Sequence, residues 1–286
     1  MRTKWYRMLI AVVVGFMVLT ITLGVGVKTT CTITEVQATK PTPDTQPTSA
    51  GNKPWTDPTT GMEFEWVPGG CFAMGSPESE QDRANDEGVH EVCVGGLWVG
   101  KYEVTQGEWV KVTGSNPSYY KKMGDRYPVE MVSWADTQEY IKKLNRQSGK
   151  QYRLPTEAEW EHGCQGGASR ERYCGGNDIE RVAWYSKNGD NITHAVGSKA
   201  ANGYGLYDMS GNVMEWCADW YDKNYYATSP RQDPAGPPSS PDSYRVVRGG
   251  HFLRKPVAVR AAHRGSISPD GRGDGLGFRL VLPPDQ

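Results

Sequence analysis

Two groups of residues in the second half of the chain are of types that carry chemistry. In Asp208-Met209-Ser210-Gly211-Asn212-Val213-Met214-Glu215, two carboxylates bracket a tight Gly-Asn turn. A hard cation such as Ca2+ takes about six to eight oxygens, and a turn can add backbone carbonyls to two acidic side chains. The same text also fits an acidic turn that only caps local amides. Farther on stand His251, Arg254, Arg260, His263 and Arg264. His251 is a candidate general base. An Arg and His surface suits an anionic or peptide ligand. Alternatively, these side chains satisfy loop carbonyls and carboxylates and touch no ligand. The histidines His90, His162, His194, His251 and His263 are scattered, with no two-His, one-carboxylate spacing.

The cysteines are Cys31, Cys71, Cys93, Cys164, Cys174 and Cys217. No C-x-x-C pair or His–Cys grouping has zinc-ligand spacing, so in an exported chain disulfides are the expectation. Cys71 and Cys93 sit in strand-like text (GGCFAMGS and HEVCVGG), which suits a bridge between neighbouring strands. Cys164 and Cys174 flank a short Gly-rich loop that a bridge would close. Cys217, between Trp216 and Ala218, reads as buried and free. Other connectivities stay open.

The elements that must position these residues are few. Phe64 to Met74 reads as a short hairpin around Pro68-Gly69-Gly70, Ser76 to Gly88 as a solvated acidic loop, and His90 to Val104 as strands. Ser133 to Asn145 is the clearest helix, capped by Ser133 with Asp136 three residues on. A second helix starts at Thr156, where Thr156 and Glu159 form a capping-box pattern. Beyond Gln165 the helical period fades into short apolar pieces divided by Gly, Pro, Asn and Asp.

Composition bounds the whole. The formal net charge is -1, and no basic stripe marks a nucleic-acid footprint. Ten tryptophans and 34 glycines imply an aromatic core threaded through much loop. Arg2, Lys4 and Arg7 precede an uncharged run from Met8 to Val27, long enough as a helix to span a bilayer core of roughly 30 Å. The flanking charges place the rest of the chain across the membrane, whether residues 1–30 stay as an anchor or leave as a signal segment. Residues 31–61 are rich in Thr, Pro and Ser and are expected to be a linker. One domain, 62–284, follows.

Seven ordered segments of that domain carry a resemblance: PGGCFAMGSPESEQDRANDEGVHEVCV, KYEVTQGEW, PVEMVSWADTQEYIKKLN, YRLPTEAEWEHGC, NGYGLYDMSGNVMEWCADWY, RVVRGGHF and GLGFRLV. In this order they are similar to the formylglycine-generating enzyme, or sulfatase-modifying factor, family. The resemblance implies an α+β fold related to C-type lectins, irregular and poor in regular secondary structure, with bound calcium. Carried over by position, the calcium ligands are the side chains of Asp208 and Glu215 and the carbonyls of Gly211 and Val213. The family's copper chemistry does not carry over. Its two Cu(I)-binding cysteines fall at Arg254 and Val259, neither of which can serve, and its Ser after Arg-Gly-Gly is His251. The expectation is therefore a calcium-stabilised binding or accessory module without copper or formylglycine-generating activity. Its candidate pocket holds His251, Arg254, His263 and Arg264 and takes a small-molecule, peptide or protein ligand. The alternative is a periplasmic oxidative tailoring enzyme using that pocket. Either would act as an exported protein, in the periplasm or on the outer face of the inner membrane.

Overall fold

Thr105, Ser133 and Thr156 each stop a stretch of extended chain and start a helix by the same device. The hydroxyl of each accepts from the backbone N–H three residues on, and Glu108, Asp136 and Glu159 return a carboxylate to the cap's own N–H. Each helix then ends on a left-handed glycine, at Gly114, Gly149 and Gly166. The computed structural model describes residues 54–168 and 170–284. In chain order these form β1 (Trp55–Thr56), β2 (Glu63–Val67), β3 (Gly70–Met74), β4 (His90–Val94), β5 (Leu97–Gly100), α1 (Gln106–Thr113), α2 (Trp134–Ser148) and α3 (Glu157–Gln165). There follow α4 (Ile179–Val182), β6 (Ala183–Trp184), β7 (Ser210–Gly211), β8 (Met214–Trp220), β9 (Arg245–Arg248), β10 (Gly265–Ile267), β11 (Leu276–Gly277) and β12 (Val281–Leu282).

Two four-stranded sheets, ordered β1-β2-β5-β12 and β10-β9-β8-β11, are joined by the small pairs β3-β4 and β6-β7. Much of the chain between these pieces is irregular, as the α+β expectation has it. The larger core cluster stacks Trp109 on Tyr140 with Phe278 edge-on to both, and adds Phe64, Trp216 and Leu144. A second cluster centres on Trp160, Met209 and Val246.

Three expectations need correction. Phe64 to Met74 is not a hairpin: β2 pairs with β1 and β5, whereas β3 pairs only with β4. Gly69 lets the chain switch sheets, because a Cβ there would stand 2.6 Å from the Gly96 nitrogen. The folded domain also begins before residue 62. Trp55 pairs with Phe64 and stacks on Tyr152, while buried Asp57 accepts from Thr60 and from the Tyr152 hydroxyl. The Ser76–Gly88 loop, finally, is not simply a solvated face, since Glu87 is fully buried. The expected membrane segment, and residues 31–53 of the expected linker, lie outside the described residues. Among the described residues no helix is long and apolar enough to cross a membrane.

What fills the space between loops and sheets is charge. The side chains of Arg248, Arg260, Arg264 and Arg279 have no exposed surface. Arg264 grips Glu157 with two nitrogens at 2.8 Å, and Arg248 bridges Glu157 and Glu161 of α3. Arg260 ties Glu87 and Glu80, and Arg279 grips both oxygens of Glu215 at 2.7 Å. Removing one partner of a buried pair strands the other charge, at a cost of about 3–5 kcal/mol. Arg279→Met is expected to lose stability of that order in urea denaturation. The Arg279→Met/Glu215→Gln double variant should recover a large part of it.

Candidate functional site

The site is built where β9 ends. Arg248 closes the strand, and Gly249 and Gly250 follow in left-handed conformations. A Cβ on Gly250 would lie 2.3 Å from the Ala258 carbonyl oxygen, so the turn packs directly on the short 3-10 helix Pro256–Val259. Between that turn and β10 lies a cavity of about 180 Å3. Arg254 and His263 line it, with Met214, Val247 and Ile267 supplying apolar wall. Arg254 is exposed and makes no ion pair with any described residue. His263 is partly exposed, its Nδ1 3.8 Å from a Glu87 oxygen.

Of the four expected pocket residues, the cavity thus gathers two. Arg264 is consumed by Glu157 and stacks between Tyr226 and Tyr221. His251 is turned away from the cavity against Gly275, where a Cβ would stand 2.5 Å from its Nδ1. Burial, with Arg254 beside it, lowers the His251 imidazole to about 4. It is therefore neutral at pH 7. Of the two positions matching the copper-binding cysteines, Arg254 faces the cavity and Val259 is fully buried against Tyr173, Val182 and Tyr185. Neither offers a soft ligand.

The calcium expectation meets a rival for its carboxylate. Glu215 gives both oxygens to Arg279 and accepts the Trp160 indole N–H as well. Asp208 accepts the Gly197 N–H on one oxygen and leaves the other buried without a partner. A calcium ion would need oxygens that the guanidinium already holds, so Glu215 does not fit the ligand set in this arrangement. Gly211 and Val213 sit in the expected turn, but the Val213 N–H and the Asn212 amide donate to a third carboxylate, Glu103. Glu103 is fully buried, and its carboxyl is pushed up by burial and by the nearby Asp208 and Glu215. It was not singled out from the sequence, because strand alternation would have set it opposite Tyr102 and Val104 and facing outward; β5 ends at Gly100, and the irregular chain beyond it buries both Glu103 and Val104.

Both expected disulfides, Cys71–Cys93 and Cys164–Cys174, are formed, and Cys217 is free and buried. A family model described as the sulfatase-modifying factor enzyme 1-like domain matches residues 52–283. The chain belongs to that family. Its similarity to the chaperone protein LppX of Paenibacillus barcinonensis is 30% identity, over 75% of this chain and 87% of that one. The formylglycine-generating enzyme of Streptomyces coelicolor is 36% identical over 62% of this chain and 61% of its own. Among solved structures, PvdO from Pseudomonas aeruginosa superimposes with a TM-score of 0.74 at 29% identity, covering 81% of this chain and 98% of that one. Treponema denticola variable protein 1 fits equally, at 0.74 and 29%, covering 81% and 99%. The family fold is thus shared with proteins of differing names.

The His251 environment has a measurable consequence. Unfolded, the imidazole titrates near its ordinary 6.5, and folded near 4. Its contribution to stability is therefore full above about 6.5 and is lost as pH falls through 4. In thermal unfolding between pH 7 and pH 4, His251→Gln is expected to show a shallower loss than the parent chain.

Proposed function

We propose that this sulfatase-modifying factor-like domain is an exported binding or accessory module, and that its cavity seats the acidic end or an acidic side chain of a peptide or protein. The observation that carries this reading is Arg254: an exposed guanidinium without an ion pair stands where the family has its first copper-binding cysteine. A single unpaired guanidinium beside apolar wall matches a carboxylate with a short hydrocarbon attached. The size agrees. At about 180 Å3 the cavity is smaller than the roughly 300–1,000 Å3 of sites that enclose a whole small ligand, so it suits part of a larger one. That a relative over most of the chain carries the name chaperone supports a role in holding another protein.

Oxidation of a sulfatase cysteine through two thiolates has no residues to run it here. Calcium at Asp208 and Glu215 belongs to this proposal only if Arg279 gives way. A second reading, an oxidative tailoring enzyme acting in the same cavity, is favoured by the likeness to PvdO. It would require redox-active metal or cofactor ligands beyond the residues that line the cavity.

Two measurements on the full chain, purified in detergent, separate these readings. The peptide acetyl-Ala-Leu-Val as the free acid is expected to bind, followed by tryptophan fluorescence or NMR. The C-terminal amide of that peptide, or Arg254→Ala, should weaken binding by about tenfold or more, the scale of one charge-assisted hydrogen-bonded pair. Equal binding of acid and amide would sink the reading. In the second measurement, metals are determined by mass spectrometry after dialysis. Neither calcium nor copper is expected in stoichiometric amount. Stoichiometric copper or iron would move the enzyme reading to the front, and stoichiometric calcium would show that Arg279 can be displaced from Glu215.

A further inference from the structure

The two disulfides differ in access. Cys164 and Cys174 are both buried, and Cys217 lies wholly inside β8. Cys71, in contrast, is exposed on β3, while its partner Cys93 is buried on β4. The two face each other directly in the β3-β4 register. The Cys93 N–H donates to the Arg231 carbonyl and its carbonyl accepts the Asp233 N–H, so its backbone bonds point away from β3. Cys71 and Cys93 are thus a non-hydrogen-bonded pair, in which opposing side chains stand closest. Arg231, besides pairing with Glu91, brings a guanidinium nitrogen to 3.8 Å from the Cys71 sulfur. A positive charge at that distance attracts an incoming thiolate and stabilises the Cys71 thiolate that reduction leaves.

We propose that Cys71 is a thiol–disulfide exchange site for an external dithiol, and that the Cys71–Cys93 bond opens in the folded protein and recloses by the reverse exchange with the reagent's disulfide form. A thiolate of the dithiol attacks the Cys71 Sγ, forming a mixed disulfide and expelling the Cys93 thiolate, which takes a proton from water. The second thiol of the reagent, as thiolate, then attacks its own sulfur in the mixed disulfide. That releases the Cys71 thiolate and leaves the reagent as a disulfide, so one dithiol is oxidised for each bond reduced. The hairpin survives opening, because its remaining pairs flank the bond on both sides and Met74, Val92 and Val94 stay in their apolar cluster. Beside the bond runs the 231–233 segment, whose Arg231 and Asp233 are hydrogen-bonded to the Cys93 backbone, with the Asp233 carboxylate accepting the Gly95 N–H.

The test uses the full chain, purified oxidised and treated with increasing dithiothreitol, trapped with iodoacetamide and mapped by mass spectrometry, with far-UV circular dichroism in parallel. Cys71 and Cys93 are expected to be alkylated at concentrations about tenfold or more below those that label Cys164 and Cys174, with an unchanged spectrum. Simultaneous labelling of all four, or loss of the spectrum in step with Cys71, would overturn the proposal. Cys93→Ser should take up one glutathione at Cys71 from oxidised glutathione, and a Cys71 that stays unmodified would refute its accessibility. Arg231→Glu is expected to slow reduction several-fold without changing the spectrum, and an unchanged rate would remove Arg231 from the site.

Discussion

Everything in this domain hangs on guanidinium groups placed where no water reaches. Arg248, Arg260, Arg264 and Arg279 come from the C-terminal third of the chain, and their carboxylates come from α3, the acidic loop and β8. Each pair joins segments far apart in sequence, such as Arg260 with Glu87 at a separation of 173. A chain with so much irregular backbone has few ladders to hold its loops, and these planar forks do that work while also capping carbonyls such as those of Ala261, Gly100 and Tyr207. Buried pairs of this kind add less net stability than their Coulomb attraction suggests, because desolvation opposes it. Their effect is to fix the arrangement of the loops they join.

The same constraint sorts the arginines by role. Arg248, Arg264 and Arg279 are spent inside, so none is available to a ligand. Arg254, one short turn beyond β9, is left over, and Met214, Val247 and Ile267 give the cavity beside it an apolar wall. The interior also carries more acid than base around the Asp208–Glu215 turn. Glu103 and Asp208 answer that excess by holding protons more tightly than carboxylates ordinarily do, Asp208 up to about 6. Asp219, which accepts the first N–H of α3, is pushed up to about 8 for the same reason, burial beside Glu157.

Local signals were legible in the sequence and distant ones were not. The caps at Ser133 and Thr156 could be read because a capping box is complete within four residues. The third, Thr105 with Glu108, has the same spacing and went unread because Gly107 weakens the helical pattern of α1. Cys71–Cys93 followed from two strand-like strings. By contrast, nothing near Pro68-Gly69-Gly70 says that β2 and β3 join different sheets. Nor does anything near Glu215 announce Arg279, 64 residues on, as the occupant of its carboxylate. Trp55 was hidden by the Pro- and Thr-rich company it keeps, and its stacking on Tyr152 is a contact across all of β2 to α2.

The order β1-β2-β5-β12 closes a sheet with the first and last strands of the domain. Synthesis delivers β12 after every other strand of the domain, so β5 keeps an open edge until the last residues of the domain have emerged. Nascent chains will therefore pass through a stage with aromatic core surface and an unpaired strand on view, the condition in which holding factors are recruited and neighbouring copies stick together. Deleting β12 would prolong that stage indefinitely, turning a step in maturation into a standing liability for quality control.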